Sequence, residues 1–229
     1  MSLVRTRGTV MLVAVSVAAC ASAVGAAAQT ATPAGSPGEA AAIAKARADS
    51  ARYPYTAADI KFMTGMIGHH AQAIVMSKWA PTHGASPAVQ TLASRIINAQ
   101  RDEIVTMQQW LRDRQQPVPD GNAPMKMDMG GMDMSGSTHE ALMPGMLTDA
   151  QLAQLDSARG PAFDRLFLTD MIQHHRGAVT MVKQLFDTYG AGQDELIFKY
   201  ASDVNVDQTT EIARMQRLLV SEMFEIPSP

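Results

Sequence analysis

The apolar and polar positions of this chain follow one plan, laid out twice. Ile60, Met63, Met66, Ile67, His70, Ala73 and Ile74 fall at the three-and-four spacing of a helix face. Thr56-Ala57-Ala58-Asp59 ahead of them supplies a hydroxyl cap with an acid three residues on, the signature of a helix start. The stripe breaks around Pro81, Gly84 and Pro87. Ser86-Pro87 then opens a second helix carrying Val89, Leu92, Ala93, Ile96, Ile97, Ile104, Met107 and Leu111, which ends before Pro117. Pro161 opens a third helix running to about Tyr189, where Gly190 and Gly192 stop it, and a fourth spans roughly Gln193 to Phe224. Thr148-Asp149-Ala150-Gln151 starts a short extra helix before Gly160.

The repetition extends to residue identity. Phe62-Met63-Thr64-Gly65-Met66-Ile67-Gly68-His69-His70 returns as Phe167-Leu168-Thr169-Asp170-Met171-Ile172-Gln173-His174-His175, and Ala73 and Met76 return as Ala178 and Met181. The second helix repeats in the fourth: Gln100, Glu103, Ile104, Met107, Gln108 and Leu111 match Gln208, Glu211, Ile212, Met215, Gln216 and Leu219. Each half is a helical hairpin whose apolar stripe needs a cover, so the two pack into an all-α four-helix bundle. The expected layout is a first hairpin over 53–114, a crossover over 115–147 and a second hairpin over 148–226.

Residues 1–28 read as an export signal: Arg5 and Arg7, a short apolar run from Val10 to Ala19, then Ala26-Ala27-Ala28. Val17-Ala18-Ala19-Cys20 also resembles a lipoprotein box, so either simple secretion or a lipid anchor at Cys20 fits. Residues 29–52 are rich in Ala, Pro and Gly and are expected to form a flexible tether with a short helical turn around Glu39 to Ser50. A net charge of −3 gives no electrostatic footprint for nucleic acid. The single cysteine leaves the exported body without a thiolate, which excludes a blue-copper site, and no C-x-x-C-H exists for c-type haem.

Paired imidazoles inside apolar helices are costly to bury, and here they occur twice in one register. A helix turns about 100° and rises about 1.5 Å per residue. Met66 therefore lies between His69 and His70 in angle and within one turn of both, as Met171 does for His174 and His175. Each thioether–imidazole pair can converge on one ion. The adjacent rings diverge by about 100°, so one is expected to face the bundle centre and the other a neighbouring helix. Met76 and Met181 stand roughly 10 Å further along the axis, too far to join those rings, and core filling is an equal reading for them. Glu103 with Met107, and Glu211 with Met215, add a carboxylate and a thioether on one face of each partner helix. The carboxylates serve as ligands, as groups orienting the imidazoles, or as surface ion-pair partners. Thioether favours Cu(I), whereas imidazole suits copper in both oxidation states and zinc. His83, in a loop with no repeat counterpart, is expected to be solvated.

The crossover carries its own signal. Met125, Met127, Met129, Met132 and Met134 alternate with Lys, Asp and Gly, and His139, Met143 and Met146 follow. This pattern builds no core stripe, and a thioether-rich tract can wrap Cu(I) or Ag(I).

The duplicated F-[ML]-x-x-M-I-x-H-H-x-x-A-[IV]-x-M segments, each followed by Q-x-x-E-I-x-x-M-Q-x-x-L, resemble an exported bacterial family catalogued as a domain of unknown function. That family includes the CopM-type copper-binding proteins. The resemblance covers about residues 53–225 and implies a ferritin-like four-helix bundle, in the periplasm or outside the cell, that binds copper through Met and His for resistance or homeostasis. By position, the family motif falls on Met66, His69, His70, Met171, His174 and His175. The expected function is non-catalytic: copper sequestered, or passed to a periplasmic chaperone or efflux component. A structural bundle of the cell envelope is the alternative. A ferritin-like di-metal oxidase fits less well, since its sites need Glu-x-x-His on two helices and the chain has none.

Overall fold

The computed structural model describes residues 36–52, 54–122 and 142–224. Six helices occur there, and no strand: α1 (Pro37–Arg52), α2 (Ala57–Trp79), α3 (Pro87–Asp113), α4 (Asp149–Ser157), α5 (Pro161–Asp187) and α6 (Glu195–Phe224). Their starts follow the chemistry of their caps. Thr56 Oγ1 accepts from Asp59 N while Asp59 Oδ2 accepts from Thr56 N, and the Thr148–Gln151 pair does the same for α4. Ser86 caps α3, with Pro87 at the first helical position. Gly190 and Gly192 hold φ of 77° and 69° after α5, where a β-carbon would be strained.

The four long helices form the bundle. α2 packs on α3, α5 packs on α6, and α2 and α5 meet at the centre. α2 is accordingly buried nearly all round from Phe62 to Ser77. Two apolar clusters fill the two ends of the bundle. One joins Phe62, Met63, Met66 and Ile67 with Ile104, Met107, Val182, Leu185, Ile197 and Val204; the other joins Met76, Leu92, Ile96, Phe163, Phe167, Met171 and Met215. In all four helices the residues between the two clusters are polar: His69 and His70, Gln100 and Glu103, His174 and His175, Gln208 and Glu211.

The hairpins clasp each other reciprocally. Asp59, on α2, accepts through Oδ1 from Gly192 N in the turn of the second hairpin, at 2.7 Å. Its repeat counterpart Asp164, on α5, accepts through Oδ2 from Ser86 N in the turn of the first, at 2.9 Å. Both carboxylates are buried.

Three sequence expectations are corrected. Residues 37–52 form a 16-residue helix rather than a flexible tether with one short turn. Ser36 Oγ accepts from Glu39 N, Arg47 donates to Gln115 just beyond the end of α3, and Ala46 is buried. His83 is buried rather than solvated, with Nε2 2.8 Å from the Asp156 carbonyl and its ring against Trp79 and Phe163. The end of the crossover is core, since Met143, Met146 and Leu147 are all buried. Among the described residues no helix is long and apolar enough to cross a membrane. Cys20 and the whole 1–28 segment lie outside the described residues.

Candidate metal centre

All four repeated imidazoles are fully buried. They divide as their angular separation requires. His69 and His174 meet at the bundle centre, ring centroids 3.8 Å apart, while His70 and His175 turn toward the partner helices. His70 Nε2 lies 2.6 Å from Glu103 Oε2 on α3, and His175 Nε2 lies 2.6 Å from Glu211 Oε2 on α6. The central rings find backbone carbonyls instead. His69 Nε2 is 3.0 Å from Pro144 O, and His174 Nε2 is 3.0 Å from His69 O.

At His69, His174 and His175 the hydrogen-bond partner is a carbonyl or carboxylate oxygen that only accepts, so Nε2 carries a proton, and in the neutral ring Nδ1 keeps its lone pair. All four Nδ1 atoms are buried without a hydrogen-bond partner. A buried polar atom left unpaired costs roughly 1–3 kcal/mol, and here the omission is made four times in one layer. Ligand imidazoles share this arrangement, one ring nitrogen donating to an oxygen while the other holds the metal. Burial, and then the charge of His70, holds His69 down at about 3, with the Pro144 carbonyl pulling it partly back. Burial, and then the other rings, lowers His174 well below the ordinary imidazole range. Both central rings are therefore neutral bases at physiological pH, as metal ligation requires.

The sequence-predicted donors come together only in part. Met66, Met107, Met171 and Met215 are fully buried, the first two in one apolar cluster and the last two in the other. Glu103 and Glu211 touch the outer imidazoles. Among the described residues no three His, Cys, Asp or Glu side chains converge into a ready-made cage. Met125, Met127, Met129, Met132, Met134 and His139 lie outside the described residues.

Several site residues escaped sequence reasoning. A strap formed by residues 142–147 closes over the centre. Pro144 O receives His69, and Gln72 pairs with Leu147 twice, Oε1 accepting from Leu147 N at 2.8 Å and Nε2 donating to Leu147 O at 3.0 Å. The strap fits because position 177 is glycine. A β-carbon there would stand 1.9 Å from Pro144 O. Tyr200, from α6, places its hydroxyl 3.2 Å from Met107 Sδ and 3.4 Å from His70 Nε2. Burial, and then the Glu103 carboxylate, push its phenol well above the usual range, so it is a hydroxyl that donates. Asp207 is raised by partial burial, then by Glu103, Asp203 and Glu211, which makes the approach to the outer imidazoles acidic. Gln100 and Gln208, one turn before the repeated glutamates, are buried with unpartnered amide atoms.

Fold and site together define a class, all-helical bundles with a duplicated buried layer of imidazole flanked by thioether. The sequence profile of the family described as "Domain of unknown function (DUF305)" matches residues 59–219, and the chain belongs to that family. The fold is similar to that of a DUF305 protein from Streptomyces coelicolor, at 30% identity, 72% of this chain, 93% of that chain and a TM-score of 0.59. It is also similar to CopM in its Cu(II)-bound form (29% identity, 71% of this chain and 96% of that one, TM-score 0.55). CopM in its Cu(I)-bound form gives 28% identity, the same coverage and a TM-score of 0.52. An uncharacterized protein of Acanthamoeba polyphaga mimivirus, L153, is 41% identical over 56 residues, which is 24% of this chain. The matched segment spans 37% of that relative.

Proposed function

We propose that this protein is an exported, periplasmic or secreted, copper-binding protein. It sequesters Cu(I) or Cu(II), with Ag(I) as a soft surrogate, and carries out no reaction of its own. The observation that carries the reading is the set of four buried imidazoles, each with Nε2 facing an oxygen and Nδ1 without a hydrogen-bond partner. In this reading the Nδ1 atoms are the nitrogen ligands, and Met66, Met107, Met171 and Met215 supply the thioethers. Glu103 and Glu211 hold the outer rings rather than the metal. Such a mixed set accepts both oxidation states of copper. Likeness to CopM, solved with copper in both states and with silver, adds support. The bound metal is then stored or handed to a periplasmic chaperone or efflux component.

Replacing His69, His70, His174 and His175 together by Ala abolishes high-affinity Cu(II) uptake by the bundle, measured by competitive titration with helicity checked by circular dichroism. Unchanged stoichiometry and affinity in that variant would count against the imidazoles as ligands. The methionine tract is a second, separable store. Deleting residues 125–139, short of the buried strap, lowers the number of Cu(I) ions bound and leaves helicity intact. An undiminished Cu(I) count rules the tract out.

A further inference from the structure

At their outer rings the two halves of the imidazole layer differ in one contact. At the outer ring of the first hairpin, the Tyr200 hydroxyl stands 3.2 Å from Met107 Sδ and 3.4 Å from His70 Nε2. The repeat that carries Met107 onto Met215 and Glu103 onto Glu211 carries Leu92 onto Tyr200. Leu92 lies fully buried in the same apolar cluster as Met171 and Met215 and offers no donor. Among the described residues no hydrogen bond reaches Met215 sulfur. A hydroxyl that donates to one of the two lone pairs of a thioether lowers the donor strength of the sulfur and fixes its orientation, and a net hydrogen bond of this kind corresponds to roughly a fivefold change in an equilibrium constant.

We infer that Tyr200 makes the two half-sites unequal: it weakens the Met107 thioether as a donor, so a soft monovalent ion enters the Met215 side first. Tyr200 is here a positioning residue, acting through Met107 and not as a ligand. The inference rests on the copper-binding reading and adds an order of loading to it. It also explains why a repeat that preserves His, Glu and Met should diverge at a fully buried neighbour of those residues.

The test titrates the whole chain, its methionine methyls labelled with carbon-13, with silver(I) as the probe and NMR as the readout. In the unsubstituted protein the Met215 methyl shifts at free silver concentrations roughly fivefold lower than the Met107 methyl, as that hydrogen bond dictates. In Tyr200→Phe, which keeps the ring packed against Phe62, the two midpoints merge. Simultaneous loading, Met107 responding first, or a gap that survives in Tyr200→Phe overturns the inference while leaving copper binding in place. Imidazole shifts without either methyl moving do the same. Silence of methyls and imidazoles alike overturns both readings, and the two failures are thereby distinguished.

Discussion

The first and second hairpins carry the same imidazoles, glutamates and methionines, yet they differ wherever the strap touches them. Gln72 on α2 grips Leu147 through both amide atoms, while its counterpart on α5 is Gly177, which lets Pro144 and Gly145 lie against the helix. Gly65 on α2 answers to Asp170 on α5, and Leu92 on α3 to Tyr200 on α6. The buried imidazoles, glutamates and thioethers stayed duplicated, whereas positions that cover the layer diverged. One strap closes a two-fold site, and a single strap cannot satisfy two equivalent surfaces. The pair Gln72 and Gly177 is the physical form of that asymmetry.

Among single substitutions, the largest expected effect comes from removing the fit on the α5 side. Gly177→Ala puts a methyl where Pro144 O and Gly145 Cα now sit. It should cost about 1–3 kcal/mol of stability and separate the strap from His69. Thermal melts and amide exchange at Leu147 check this, and protection equal to that of the native protein would mean that the strap does not depend on Gly177.

The reciprocal clasps sharpen the comparison at a second level. Asp59 caps α2 and holds Gly192, using both oxygens. Asp164 holds Ser86 with Oδ2 and leaves Oδ1 buried and unpartnered. Asp59→Ala should therefore destabilise more than Asp164→Ala, by about 1–2 kcal/mol, in denaturant unfolding. Equal losses would show that the helix cap adds nothing to the clasp.

Acid gives the next effect. His69 sits at about 3 in the fold, against about 6.5 in an unfolded chain. The unfolded state thus binds more protons below pH 6.5, and stability falls as pH drops from about 6.5 toward 3, by up to about 1.4 kcal/mol per pH unit for each such ring. His174 acts in the same direction. A melting temperature flat between pH 6.5 and 4 would contradict the buried neutral pair. The smallest effect lies on Asp170, whose carboxyl burial raises to about 6. Its neutral form is favoured by the fold, so its contribution is full below pH 3.8 and lost as pH rises through 6. Asp170→Asn should raise the melting temperature slightly at pH 7 and leave the acid slope from the histidines unchanged. At Gly65, the equivalent position of the first hairpin, there is no such group to neutralise.

The bundle was legible in the sequence because its information is local and periodic. The apolar spacing of Ile60 to Ile74, the cap at Thr56, the stop at Gly190 and the repeat of Met66-Ile67-x-His69-His70 each act within a few residues. The division of the rings into a central and an outer pair followed from the 100° step alone. What stayed hidden depends on meetings between distant segments. Nothing near Met143 or Pro144 signals that Gly177 leaves room for them. His83 looked solvated in its loop because its partner, Asp156, is 73 positions away. Tyr200 stood out in neither half, since its significance is a contact with Met107 across the bundle and a contrast with Leu92. The Ala-rich run at 37–52 was legible as a short helical turn but not as the full helix, whose support comes from contact with α3.

The crossed clasps at Asp59 and Asp164 bear on how the molecule assembles. Each hairpin's turn is completed by a carboxylate from the other, so neither half is an autonomous folding unit. Expressed separately, the halves would be obligate mates, gaining ordered turns only on association, and the whole should melt in one cooperative step.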